Sequence, residues 1–244
     1  MNLFRKAKTQ MLQLKVCNNS CHPSELKSLT HFLKHIPYLN LELWLRCDQD
    51  CTDHILRTVV NNRNLSKSIV TLDLGKYENE QFLLASTINP FDVARKRQTL
   101  MRLPKMNKFK LVDEKATQRG LIDDATFTHL LSNTNHLELP GKCNCSARTI
   151  IDAFELVCQS VEYKAVCINA PKSSVDQFFT IARLFGQGNG FMTGTREGGW
   201  RYLQDRHNSA ILLVWPEMDL LKNFRKIVIA KTNADGSMIY NEIK

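Results

Sequence analysis

Short apolar pairs separated by one residue recur along the first two thirds of the chain: Leu14 and Val16, Leu43 and Leu45, Leu72 and Leu74, Phe109 and Leu111, Leu137 and Leu139, Val166 and Ile168. Their first members are spaced by 29, 29, 37, 28 and 29 residues, so one unit is longer and the others agree to within one residue. Alternation with period two puts the apolar members on one face of a β-strand. It predicts strands at Leu12–Val16, Leu41–Leu45, Val70–Leu74, Lys108–Val112, His136–Leu139 and Lys164–Ile168.

Between these segments the period changes to that of a helix. After Ser24, residues Leu26, Leu29, Phe32, Leu33 and Ile36 share one helical face, and after Thr52 so do Ile55, Leu56, Val59 and Val60. Asp123 or Asp124 is suited to cap a helix carrying Phe127, Leu130 and Leu131. Ser146 precedes Ile150, Phe154 and Val157, and Ser173 precedes Val175, Phe178, Phe179, Ala182 and Phe185. The long unit has room for two helices, Tyr77–Ile88 and Pro90–Leu103, with Pro90 fitted to a first helical position.

Strand, helix and strand joined by short links make parallel strands with the helices on one side. A fixed period near 29 residues is the mark of a solenoid, at the upper end of the leucine-rich-repeat range. The predicted fold is therefore α/β: an irregular leucine-rich-repeat-like solenoid of about six parallel strands with helices on the convex side. Beyond residue 186 the repeat stops. Gly186, Gly188, Gly190, Gly194, Gly198 and Gly199 predict a flexible or tightly turning loop. Strands are predicted at Ala210–Trp215 and Lys226–Lys231, and Asn233–Gly236 makes a hairpin turn into Met238–Ile243. The organisation read from this is a solenoid over residues 1–185 and, in the same domain, a glycine-rich loop with a C-terminal strand and hairpin cap over 186–244. The only consensus-like unit is Leu12-Gln-Leu14-Lys-Val-Cys17; an ordinary α/β domain with evenly spaced strands is the plainer alternative.

Composition narrows the class. With 244 residues, 43% of them hydrophobic, the chain is long enough for a sizeable core. Its longest apolar runs, Ile211–Trp215 and Ile227–Ala230, fall far short of the roughly 18 to 20 residues that span a bilayer. The basic start lacks a continuous apolar segment, so the chain reads as non-secreted, in cytoplasm or nucleus. Eight cysteines are too few for a disulfide scaffold, and reduced thiols are expected. A net charge of +9 favours acidic partners or nucleic acid, but the charge is dispersed. Its densest run, Arg95-Lys96-Arg97 with Arg102, Lys105, Lys108 and Lys110, is what the solvated face of one helix and its exit look like.

Chemical signatures are sparse. Cys17, Cys21, Cys47 and Cys51 fall at equivalent places after the first two strands, where four thiolates from adjacent repeats suit a tetrahedral zinc. Buried repeat residues are the more ordinary use of such cysteines, and no metal or cofactor is expected. Cys143 and Cys145, with Cys158 and Cys167, are no stronger. Gly186-Gln-Gly188-Asn-Gly190 follows a helix rather than opening one and has no lysine-serine ending, so it does not match a phosphate loop. No nucleophile elbow, His-Glu-x-x-His helix or paired-carboxylate motif occurs, and His207 beside Asp205 and Arg206 is a turn histidine. The chain is read as non-catalytic.

The segments His136-Leu-Glu-Leu-Pro140, Tyr163-Lys-Ala-Val-Cys-Ile-Asn169 and Ala234-Asp-Gly-Ser-Met-Ile239 resemble the carboxy-terminal recognition region of nematode F-box proteins, the F-box-associated domain. The resemblance covers most of residues 10–243. It implies a repeat scaffold that selects a protein substrate while a separate F-box segment docks on the Skp-type adaptor of a cullin ubiquitin ligase. An amino-terminal F-box is not evident here, which puts ligase assembly in doubt. Two functions follow. A protein-binding module would use concave-face residues Lys15, Trp44, Asp73, Lys110, Glu138 and Cys167, with Trp44 as the leading hot spot. The alternative is a nucleic-acid-binding module, with Phe91, Phe109, Trp200 and Tyr202 interleaved with Arg95, Lys108, Arg196 and Arg201.

Overall fold

The computed structural model describes residues 9–16, 22–35, 38–45, 49–61, 69–73, 90–103, 105–112, 121–186, 191–196, 200–205, 210–215 and 223–232. The fold is α/β, and the chain forms two compact units, Met1–Leu121 with Ser132–Thr134, and Ile122–Leu131 with Asn135–Lys244.

The first unit alternates strands and helices: β1 Thr9–Val16, α1 Pro23–His35, β2 Tyr38–Leu45, α2 Gln49–Val60, β3 Ile69–Asp73, α3 Pro90–Leu100 and β4 Met106–Val112. The strands lie in sequence order and pair in parallel, as strand-helix-strand crossovers require. Leu14, Leu43 and Leu72 are register partners across β1, β2 and β3, as the repeat spacing predicts. The row continues into Leu111, not Phe109, which sits opposite Val70 one pleat earlier. The long third unit thus adds ten residues to the repeat, not eight, because spacing was counted from the wrong member of the Phe109, Leu111 pair.

Helix α2 starts at Gln49, ahead of the Thr52 start read from the sequence. The extra turn makes Cys51 part of the helix, in line with Ile55 and Val59 at four-residue steps, and all three are buried. On α1, Leu33 is fully buried, whereas Phe32 remains partly exposed. In β4 the alternation is plain: Phe109 and Leu111 are buried and Lys108 and Lys110 are half-buried. The predicted helix Tyr77–Ile88 lies outside the described residues, as do Leu74 and the turn and strand at 233–243.

The second unit contains α4 Asp124–Ser132, β5 Thr134–Lys142, α5 Ala147–Gln159, β6 Ala165–Pro171, α6 Lys172–Gly186, β7 Phe191–Arg196, β8 Trp200–Asp205, β9 Ala210–Val214 and β10 Phe224–Lys231. Its sheet is mixed. β5 and β6 are parallel, β10 then pairs antiparallel with β6, and β9, β8 and β7 follow as an antiparallel meander. Capping sets the helix starts. Asp123 Oδ1 accepts from the Thr126 N–H at 2.9 Å, so Asp123 rather than Asp124 caps α4. Asp124 Oδ1 instead accepts from the Ser146 N–H at 2.7 Å, and Ser146 Oγ accepts from Thr149 N–H at 3.2 Å to cap α5. Helix α6 begins at Lys172, one residue before Ser173.

Of the six glycines read as a loop, Gly186 closes α6 and Gly194 lies in β7, which pairs antiparallel with β8; Gly188, Gly190, Gly198 and Gly199 lie outside the described residues. Gly194 lies in β7 opposite Tyr202, and a Cβ on Gly194 would come within 2.6 Å of the Tyr202 ring. This glycine therefore serves close cross-strand packing rather than chain flexibility.

Candidate functional site

Three long polar side chains identify the helix side of the second unit's sheet. Lys164, just before β6, donates to the Leu131 carbonyl of α4 at 2.6 Å. Lys231 of β10 donates to the Cys158 carbonyl of α5 at 3.0 Å. Arg201 of β8 pairs with Asp176 of α6 at 2.6 Å and stacks 3.9 Å above the Phe179 ring. Strand alternation then puts Leu137, Leu139, Val166, Ile168, Ile227, Ile229, Leu212 and Val214 with them, against the helices.

The opposite face is read off the register as three rows. The first holds Lys142, Asn169 and Lys226, with Trp215 across from Lys226, whose carbonyl accepts from Trp215 N–H at 3.0 Å. The second holds Glu138, Cys167, Val228, Leu213, Tyr202 and Gly194, and the third His136, Ala165, Ala230, Ile211, Gln204 and Met192. Ala165, Val228 and Ala230 are fully buried, with Tyr163, Cys167 and Trp215 packed on them. The middle of this face is closed to water, and its half-exposed groups lie toward the rim.

The predicted contact residues separate accordingly. Lys15, Trp44 and Asp73 are consecutive register partners across β1, β2 and β3, so three of the six do form one row. Lys110 stands one pleat back, opposite Thr71. Glu138 and Cys167 are partners in the second unit. Glu138 is buried, its Oε1 lying 3.3 Å from His136 Nε2, and Cys167 is half-buried in the apolar cluster. The His136–Glu138 approach is an electrostatic contact, not a well-aligned hydrogen bond, since Nε2 has no hydrogen-bond partner.

Among the described residues no group of three or more His, Cys, Asp or Glu side chains is arranged to hold a metal. Cys51 is a helix core residue, and Cys17, Cys21 and Cys47 lie outside the described residues. Cys143 and Cys145 are both buried. The Cys145 thiol is pushed far above its ordinary range, first by its hydrogen bond with Cys143, then by burial and by its proximity to Cys143 and to the Asp124 and Asp123 carboxylates. It is held as a thiol rather than as the thiolate that metal binding or nucleophilic attack needs.

The residues that would form a nucleic-acid surface are diverted. Phe109 is fully buried, and Arg201 is committed to Asp176 and Phe179 on the helix side. Phe91, Trp200 and Arg196 have no described side chains, and His207 lies outside the described residues. Sequence reading missed Lys142, Lys226, Trp215 and Phe224. Their only linear trace is a lysine one or two residues from an apolar strand segment. No helix among the described residues is long and apolar enough to cross a membrane. The chain matches no family model, no curated protein and no solved structure.

Proposed function

We propose that this chain is a non-catalytic protein-recognition module, acting in cytoplasm or nucleus, whose strands form an irregular leucine-rich-repeat-like scaffold and present one sheet face to a partner. The observation that carries the reading is the unbroken backbone register of Lys15, Trp44 and Asp73, which puts residues of both charge signs and a tryptophan at adjacent positions on three parallel strands. Such a row suits a protein surface, where an aromatic anchor supplies most of the binding energy and flanking charges set orientation. The resemblance to F-box-associated domains makes substrate selection for a cullin-type ubiquitin ligase the leading biological setting. Nucleic-acid binding is the weaker reading, because Phe109 is in the core and Arg201 is neutralised.

The test is affinity capture with the full chain, compared with a Lys15→Glu, Trp44→Ala, Asp73→Lys variant. Partner recovery is expected to fall by about tenfold or more in the variant, the effect of losing one hot spot of about 2 kcal/mol with its flanks. A Skp-type adaptor or its substrates among the captured proteins would support the ligase setting. Equal recovery from both chains, or capture abolished by nuclease, would overturn the reading.

A further inference from the structure

The first row of the second unit, half-exposed at Lys142, Lys226 and Trp215, has a distinct chemistry. Lys142 on β5 and Lys226 on β10 flank Asn169 on β6 as its register partners. At about 4.8 Å between neighbouring strands, the two lysine backbones lie about 10 Å apart. Each ammonium sits over an aromatic ring: Lys142 Nζ is 5.4 Å from the Phe224 centroid, and Lys226 Nζ is 4.8 Å from that of Trp215. The rings restrain both stems while leaving ammonium hydrogens free to donate outward. Among the described residues neither lysine is ion-paired, unlike Arg148 with Asp152 and Arg201 with Asp176.

Building on the protein-recognition reading above, we infer that this row is the docking point for an acidic segment of the partner protein, its two ammoniums taking two carboxylates placed two residues apart on an extended strand. Alternate residues of such a strand share a face about 6.8 Å apart, a spacing that two flexible lysine stems rooted about 10 Å apart can meet. The chain's own charge of +9 draws such a segment in. A nucleic-acid strand fits less well on two counts. Both ring faces already carry ammoniums, which removes them as stacking platforms for bases. The next row opens with Glu138, so the positive patch is one row deep and does not continue as a phosphate track.

The experiment titrates the full chain into fluorescein-labelled hexaglutamate at low salt and follows anisotropy. Wild type is compared with Lys142→Gln, Lys226→Gln and with an equal charge change elsewhere, Lys27→Gln, Lys34→Gln on the exposed side of α1. The row variant is expected to weaken binding by about tenfold or more and the control by about twofold or less, since distant exposed charges contribute little. Unchanged melting of both variants shows that the loss is local. No binding by wild type, equal weakening in the two variants, or tighter row-dependent binding of a hexathymidylate of equal charge would each overturn the inference. The two levels separate cleanly. If a captured partner is lost with the Lys15, Trp44, Asp73 variant but kept by Lys142→Gln, Lys226→Gln, recognition stands and the acidic docking point falls.

Discussion

The two units solve the same burial problem differently. In the first, β4 buries Phe109 and Leu111 and leaves the lysines between them half-buried, so one side of the strand carries the apolar load. In the second, β9 is buried at every position from Ala210 to Val214 and β10 from Ile227 to Ala230, so both strand faces are closed. One-sided strands announce themselves by alternation. Two-sided strands read as short apolar runs, which say nothing about which neighbour they join.

That contrast can be broken by mutation. Phe109→Ala is expected to cost about 3–5 kcal/mol in urea unfolding and Lys110→Ala less than about 0.5 kcal/mol, a tenfold disparity between adjacent positions. On β10 the neighbours should both matter: Ile229→Ala by about 2–5 kcal/mol and Val228→Ala by about 1.5 kcal/mol or more, from two buried methyl groups and a cavity. A negligible effect at Val228 would show that the second face is not closed. Gly194→Ala is expected to destabilise by about 1–3 kcal/mol through collision with the Tyr202 ring, and a Tyr202→Ala background should abolish that penalty.

A smaller, pH-dependent effect sharpens the comparison further. The folded state holds the Cys145 proton more tightly than the unfolded state does, so its contribution is complete below the ordinary thiol value of 9.0 and declines as pH rises beyond it. The expected slope is about 1.4 kcal/mol per pH unit, seen as a steeper alkaline fall in unfolding free energy for wild type than for Cys145→Ala. In the folded protein Cys145 should also resist alkylation at pH 8 and become reactive in urea.

Much of the fold was legible because its signals are local. The pairs Leu14–Val16 through Val166–Ile168 mark strands, and Ser146 announces α5 by the one property a cap needs, a short side-chain acceptor. The β7–β8 hairpin was not legible, because Gly194 in a strand looks like a breaker until Tyr202 is known to lie across it. The order in which β10 enters beside β6 was equally hidden, since the strand alternation that marks β4 is absent from Ile227–Ala230. For the site, the six predicted residues assumed one uninterrupted row. The first three obey it, and Lys110 slips by a pleat because the insertion before β4 is two residues longer than assumed. Lys142 and Lys226 lie far apart along the chain, so neither belongs to a common run of charge. Here it is pairing between distant strands that gathers it.

One irregularity sets where that charge falls. Along β5 the register passes from Leu139 opposite Ile168 to Lys142 opposite Asn169, so Pro140 and Gly141 bulge out as two surplus residues. A regular ladder without this bulge would carry Pro140, not Lys142, to the position beside Asn169 while Leu137 and Leu139 kept their places. The residue at that rim position is thus set by the bulge rather than by the alternation of β5, with no repacking of the interior.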